Sequence, residues 1–141
     1  MKVTIITPTF NSAKTLIHNL NSVARQSYKN IEHIIVDNCS TDGTQALAGG
    51  FSHIAQIISE NDKGIYDAMN KGIKNSNGEW INLMNCGDRF ISDDVIQKNI
   101  APLLTHDIDI IVGSAIAISP WGDILLESAK DGEIWKGFCH Q

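Results

Sequence analysis

Short, nearly unbroken apolar runs alternate along the chain with segments whose apolar residues recur every three or four positions. "KVTIIT" (2–7), "EHIIVD" (32–37), "AQIISE" (55–60), "EWINLM" (79–84) and "DIDIIVG" (107–113) read as strands. Leu16, Ile17, Leu20, Val23 and Ala24 recur at helical spacing, with Asn11 or Ser12 available as the cap. "TQALAGG" (44–50) is a short helix closed by Gly49 and Gly50. "GIYDAMNKGIKN" (64–75) gathers Ile65, Ala68, Met69, Gly72 and Ile73 on one helical face. "DDVIQKNIAPLL" (93–104) starts a helix with acids in its first turn. "SAIAIS" (114–119), a "PWGD" turn and "ILLES" (124–128) then predict an antiparallel hairpin. Strands alternating with helices, and apolar enough to be covered on both faces, predict an α/β fold with a mixed, mostly parallel sheet flanked by helices.

In such a sheet, ligands bind beyond the carboxyl ends of the strands. Those ends here are "TPTFN" (7–11), "DNCSTDGT" (37–44), "ENDKG" (60–64) and "NCGD" (85–88). All four are polar, and three carry at least one acid. No G-x-G-x-x-G follows the first strand and no G-x-x-x-x-G-K-[ST] occurs anywhere, which disfavours a dinucleotide oxidoreductase and a P-loop phosphotransferase. A phosphate group at this edge would need a cation in place of a glycine cradle. "INLMNCGDRF" (81–90) makes the point locally: a buried-looking strand leaves the core and delivers Asp88.

Length and composition narrow the classes further. The 141 residues suit a single domain spanning 1–141, with no repeat or low-complexity linker to mark a boundary. With 43% hydrophobic and 19% charged residues the chain is an ordinary globular one. A net charge of −5 and the lack of any basic run argue against a nucleic-acid partner. Cys39, Cys86 and Cys139 are odd in number and widely spaced, which suits a reducing, cytoplasmic compartment better than a disulfide framework. The opening "MKVTIITPTF" reads as a strand rather than a signal peptide, and no run reaches the ~18 apolar residues of a membrane span.

"TIITPTFN", "IIVDNCSTDGT", "NDKGIYDAMNKGI" and "MNCGDRF", in this order, resemble the nucleotide-sugar half of a family 2 glycosyltransferase with the Rossmann-like GT-A fold. They are most similar to members that build bacterial exopolysaccharide and cell-envelope glycans, including the colanic-acid type. The resemblance implies transfer of a sugar from a nucleotide-diphospho-sugar, expected to be a UDP-sugar, to a glycan or lipid-linked acceptor. It implies an inverting, metal-dependent hexosyltransferase that works in the cytoplasm, with peripheral association to the inner face of the membrane.

Residue by residue, the resemblance assigns Pro8, Phe10 and Asn11 to the first nucleotide-contacting loop. Asp37 and Asn38 match the pair that reads the base, more often Asp-Asp in the family. Asp62 and Gly64 match the loop beside the ribose and sugar, and Lys63 or Lys71 is available to a phosphate. Asp88 matches the last carboxylate of the metal motif, holding Mg2+ or Mn2+, while Asn85, Cys86 and Gly87 replace any second acid. A nucleoside diphosphate leaves more readily when such a cation spreads its developing charge.

The acceptor-activating base of the family lies well past the metal motif, so it is expected beyond Gln141. The chain then looks truncated before the acceptor-binding portion, with His140 the candidate base among the residues present. The alternative for His140 is a structural or phosphate-contacting role. A non-catalytic nucleotide-sugar-binding fragment, or an interaction domain on the same fold, is the competing function class.

Overall fold

The structure is a computed structural model that describes residues 1–104 and 109–111, together with the backbone of two strands at 115–118 and 124–127. Two compact units divide the chain, Met1–Ala101 and Pro102–Gln141. In the first, β1 (Val3–Thr9), α1 (Ala13–Ala24), β2 (Ile31–Asp37), α2 (Thr44–Gly49), β3 (Ile54–Ser59), α3 (Ile65–Asn75) and β4 (Trp80–Leu83) succeed one another. The helix α4 (Val95–Leu103) follows, then the strands β5 (Ala115–Ile118) and β6 (Ile124–Glu127).

The sheet of the first unit has the order β3-β2-β1-β4, and every neighbouring pair is parallel. β5 and β6 pair antiparallel, Ala115 opposite Glu127, as the predicted hairpin requires. Of the expected strand 107–113, residues 109–111 carry no strand and the remainder lies outside the described residues.

Packing follows the alternation of the strands. On one face Ile35 packs with Leu16 and Leu20 of α1 and Ala48 of α2. On the other, Ile6, Ile34 and Val36 pack with Ala68 of α3. Both central strands are thus buried, β1 along its whole length. α3 comes close because its contact residues are small. A Cβ built on Gly72 would stand 2.4 Å from Ile6 Cγ2, so this position has no room for a side chain. The predicted apolar face of α3 is only partly buried: Ala68 and Gly72 are covered, whereas Ile65 and Ile73 are exposed.

β1 runs two residues further than its apolar pattern suggested, and Pro8 lies buried inside it. Alternation explains how a central strand tolerates proline. Thr9 O accepts from Asn38 N on the β2 side and Ile6 O accepts from Met84 N on the β4 side, so the Pro8 nitrogen faces β4. β4 pairing stops at Leu83, leaving no ladder bond there for Pro8 to lose.

A buried polar contact crosses the sheet below this edge. His33 Nε2 lies 3.0 Å from Thr7 Oγ1, and its Nδ1 3.2 Å from His53 Nε2. Burial, and secondarily the neighbouring His53, push the His33 pKa down to about 3. Burial lowers that of His53 as well. An unfolded histidine titrates near 6.5, so between pH 6.5 and 3 the unfolded chain binds the extra proton. The stability is full above pH 6.5 and falls as pH drops, by up to ~1.4 kcal/mol per pH unit for His33. Urea midpoints measured from pH 7.5 to 5 are expected to show this decline, and His33→Gln to flatten it.

Candidate functional site at the carboxyl edge of the sheet

Strand order reverses between β1 and β4, and in open parallel sheets ligands bind where it does. Four loops converge on the carboxyl edge: residues 10–12, 38–43, 60–64 and 84–94.

Asp37, the last residue of β2, is fully buried, and both of its oxygens are engaged. Oδ1 accepts from Thr9 Oγ1 at 3.0 Å and from Ser40 Oγ at 2.5 Å. Oδ2 accepts from Ser40 N at 2.8 Å, Gln45 Nε2 at 2.9 Å and, more distantly, Ser59 Oγ at 3.4 Å. One carboxylate therefore joins the ends of β1, β2 and β3 to α2.

The first two loops are also stitched directly. Asn11 N donates to Ser40 Oγ at 2.8 Å, and Asn11 Oδ1 accepts from Thr41 N at 2.9 Å. Asn11 has φ +45°, a conformation asparagine adopts more readily than most residues. The first turn of α1 takes its partners from the second loop and the start of α2: Ser12 N donates to Thr44 Oγ1, and Ala13 N to Asp42 Oδ2. Hydrogen bonds from the Thr44 hydroxyl and then Ala13 N–H hold the Asp42 carboxyl below its usual range.

Asn38 carries the brace to the third loop. Its Oδ1 accepts from Asp62 N at 2.9 Å, and Asp62 Oδ1 accepts in turn from Gly64 N at 2.8 Å. Gly64 has φ +116°, which a side chain would resist, and its carbonyl starts α3 by accepting from Asp67 N and Ala68 N. Lys71 is committed here as well, donating to Asn61 O at 2.6 Å and pairing with Glu60 at 3.1 Å. Lys63 remains exposed.

Three groups stand apart from this bracing. The Phe10 ring is 59% exposed, so it does not close the core. Asn38 Nδ2 makes no hydrogen bond among the described residues, and its orientation is fixed because Oδ1 must face the Asp62 N–H. Asp88 is exposed, and among the described residues no hydrogen bond or ion pair engages its carboxylate. Helix capping does not use it either; Ser92 Oγ bonds Asp94 instead, and Asp94 O accepts Lys98 N. His140 lies outside the described residues.

The Asp88 loop is held through its backbone. Asp88 N donates to Asn85 O at 2.9 Å, and Cys86 Sγ donates to Ser12 Oγ at 3.3 Å. A single exposed carboxylate is a hard oxygen donor of the kind that Mg2+ and Mn2+ prefer. Such ions take one or two protein carboxylates and complete their shell with phosphate oxygens and water. No group of three or more His, Cys, Asp or Glu that could hold a metal ion gathers among the described residues.

A four-stranded parallel sheet with polar loops at its switch point defines a Rossmann-like α/β domain. The model of glycosyl transferase family 2 matches residues 4–123, and the chain belongs to that family. A PGL/p-HBAD biosynthesis glycosyltransferase of Mycobacterium bovis is 33% identical over 97% of this chain and 56% of its own length. The chain thus spans little more than half the length of this relative. S. aureus TarS 1-349, solved with UDP-GlcNAc, aligns with a TM-score of 0.70 and 28% identity, covering 75% of this chain and 32% of its own. The mannosyltransferase PcManGT of Pyrobaculum calidifontis, solved with GDP-Man and Mn2+, aligns at TM-score 0.67 and 26% identity, covering 80% and 34%. The fold is the GT-A fold of these glycosyltransferases. Among the described residues no helix is long and apolar enough to cross a membrane.

Asp37, which the sequence matched to half of a base-reading pair, has its carboxylate engaged by five protein donors. Asp37→Asn would set an amide against some of those donors and is expected to cost about 2–3 kcal/mol of stability. Urea unfolding checks this, with Asn38→Ala as a comparison expected to cost less.

Proposed function

We propose that this chain is the donor-binding part of a metal-dependent, inverting glycosyltransferase. It takes a UDP-sugar with Mg2+ or Mn2+ and serves a glycan or lipid-linked acceptor in exopolysaccharide or cell-envelope synthesis. The observation that carries the reading is the exposed Asp88 carboxylate, unengaged among the described residues, at the β1/β4 switch point beside braced loops. The TarS complex with UDP-GlcNAc, the PcManGT complex with GDP-Man and Mn2+, and the mycobacterial relative's name support it.

In this reading the Phe10 ring offers an apolar surface to the base, a face that any nucleobase can meet. Asn38 Nδ2 donates to a carbonyl of the base, which uracil and guanine both carry. Asn11, Asp62 and Gly64 shape the walls of the nucleotide loop, and Pro8 and Asp37 fix where that loop begins. Asp88 holds the cation, which when bound neutralises charge gathering on the departing diphosphate. The chain's own contribution is orientation: the base, ribose and diphosphate are placed before the acceptor arrives.

Titration calorimetry with UDP and GDP, each with and without Mn2+, tests both parts. Mn2+ is expected to tighten UDP binding, and Asp88→Ala to remove about 10–100-fold of affinity in its presence, the worth of a charge-assisted contact. Thermal stability should stay within ~0.5 kcal/mol of the parent, as for exposed substitutions generally. Asn38→Ala removes the amide donor, so it should weaken UDP by roughly 1–2 kcal/mol. Metal-independent binding would remove the cation role of Asp88, and unchanged binding by Asn38→Ala would leave Asn38 a loop brace.

A further inference from the structure

The face of α1 that meets the loop after β4 is polar and yet buried. Asn19 and Ser22 on that helix, and Gln26 in the turn after it, are exposed by 1% or less. Each reaches the backbone of the loop. Asn19 Nδ2 donates to Asn85 O at 3.1 Å and to Asp88 O at 3.2 Å. Ser22 Oγ accepts from Phe90 N at 3.1 Å. Gln26 Nε2 donates to Ser92 O at 2.7 Å, and Gln26 Oε1 accepts from Ile96 N at 3.1 Å. The three side chains follow the loop in sequence order, like rungs.

Asn19 differs from the other two. Its amide nitrogen bridges two carbonyls that bracket the Asp88 turn, while its Oδ1 is buried without a hydrogen-bond partner among the described residues. A buried polar atom left unpaired costs stability. Of its two loop acceptors, Asn85 O would keep a bond from Asp88 N if Asn19 were truncated. Truncation would remove that unpaired oxygen but would also take from Asp88 O the bond that Asn19 gives it. What only the amide nitrogen supplies is a fixed place for the Asp88 backbone.

We propose that Asn19 is a positioning residue for the metal-linked diphosphate site: it sets where the Asp88 carboxylate stands. The inference rests on the reading of Asp88 as the cation ligand. Groups that orient a metal ligand matter to affinity nearly as much as the ligand, and losing one typically costs on the order of 10–100-fold in metal affinity. A single-carboxylate site depends on such support more than one with several ligands.

The test compares the full chain with Asn19→Ala in two measurements. Amide hydrogen exchange should accelerate at Asp88 and Phe90 in the variant, with β1 and the middle of α1 unchanged. In calorimetry with UDP, the tightening produced by Mn2+ should fall about tenfold or more in Asn19→Ala, while metal-free UDP affinity stays close to the parent. Gln26→Ala serves as the contrast, because it leaves Ile96 N and Ser92 O without their partner: its Tm should drop while the Mn2+ effect persists. Unchanged exchange at Asp88 overturns the proposal whatever the metal does. Faster exchange with an intact Mn2+ effect overturns it too, making Asn19 a purely structural brace. A parent chain whose UDP binding ignores Mn2+ overturns the Asp88 reading itself, a failure seen without any Asn19 variant.

Discussion

The buried Asp37 carboxylate is the constraint on which the functional edge depends. A charge with no exposure survives in a protein only when its lone pairs are filled, and here donors from Thr9, Ser40, Gln45 and Ser59 fill them. Those donors come from the ends of β1 and β3, from the second loop and from α2. Satisfying the one group therefore fixes four pieces of chain against each other. The loops after β1 and β2 then need only the Asn11–Ser40 and Asn11–Thr41 bonds to be set relative to one another.

The same economy extends outward from Asp37 through backbone groups. Asn38 passes the constraint to Asp62 and so to the start of α3, while Asp42 and Thr44 satisfy the first turn of α1. α1 in turn reaches the loop after β4 with Asn19, Ser22 and Gln26. A continuous set of hydrogen bonds thus runs from the end of β2 to the Asp88 turn without using the Asp88 carboxylate. The bracing leaves the Asp88 carboxylate and Asn38 Nδ2 unengaged among the described residues, on loops that are otherwise held from several sides.

Much of this was legible in the sequence. The parallel order of strands, the two-sided core and the polar strand ends follow from apolar runs broken at regular intervals, and four motif blocks in order identify the family. Asp88 stood out because a strand pattern ended on an acid, with Ser92 available to cap the helix that follows. The role of Asp37 was not legible, because three of its donors, Thr9, Gln45 and Ser59, become neighbours only after the sheet forms. Asn19, Ser22 and Gln26 were missed for a related reason. Polar residues at helical spacing look like a solvated face, and only the loop folded over them makes that face an interior one. Pro8 shortened the expected first strand, since its tolerance depends on where β4 stops pairing.

The central claim is that the braced carboxyl edge presents Asp88 to a cation that UDP brings with it. Its most direct measurement is the amide NMR spectrum of the chain as Mn2+ is added in the presence of UDP, since the paramagnetic ion broadens signals near it. The account predicts that residues 85–89 broaden first, and that UDP with diamagnetic Mg2+ shifts the signals of Phe10, Asn11 and Asn38. Broadening centred elsewhere on the fold, or spread evenly over its surface, would contradict it.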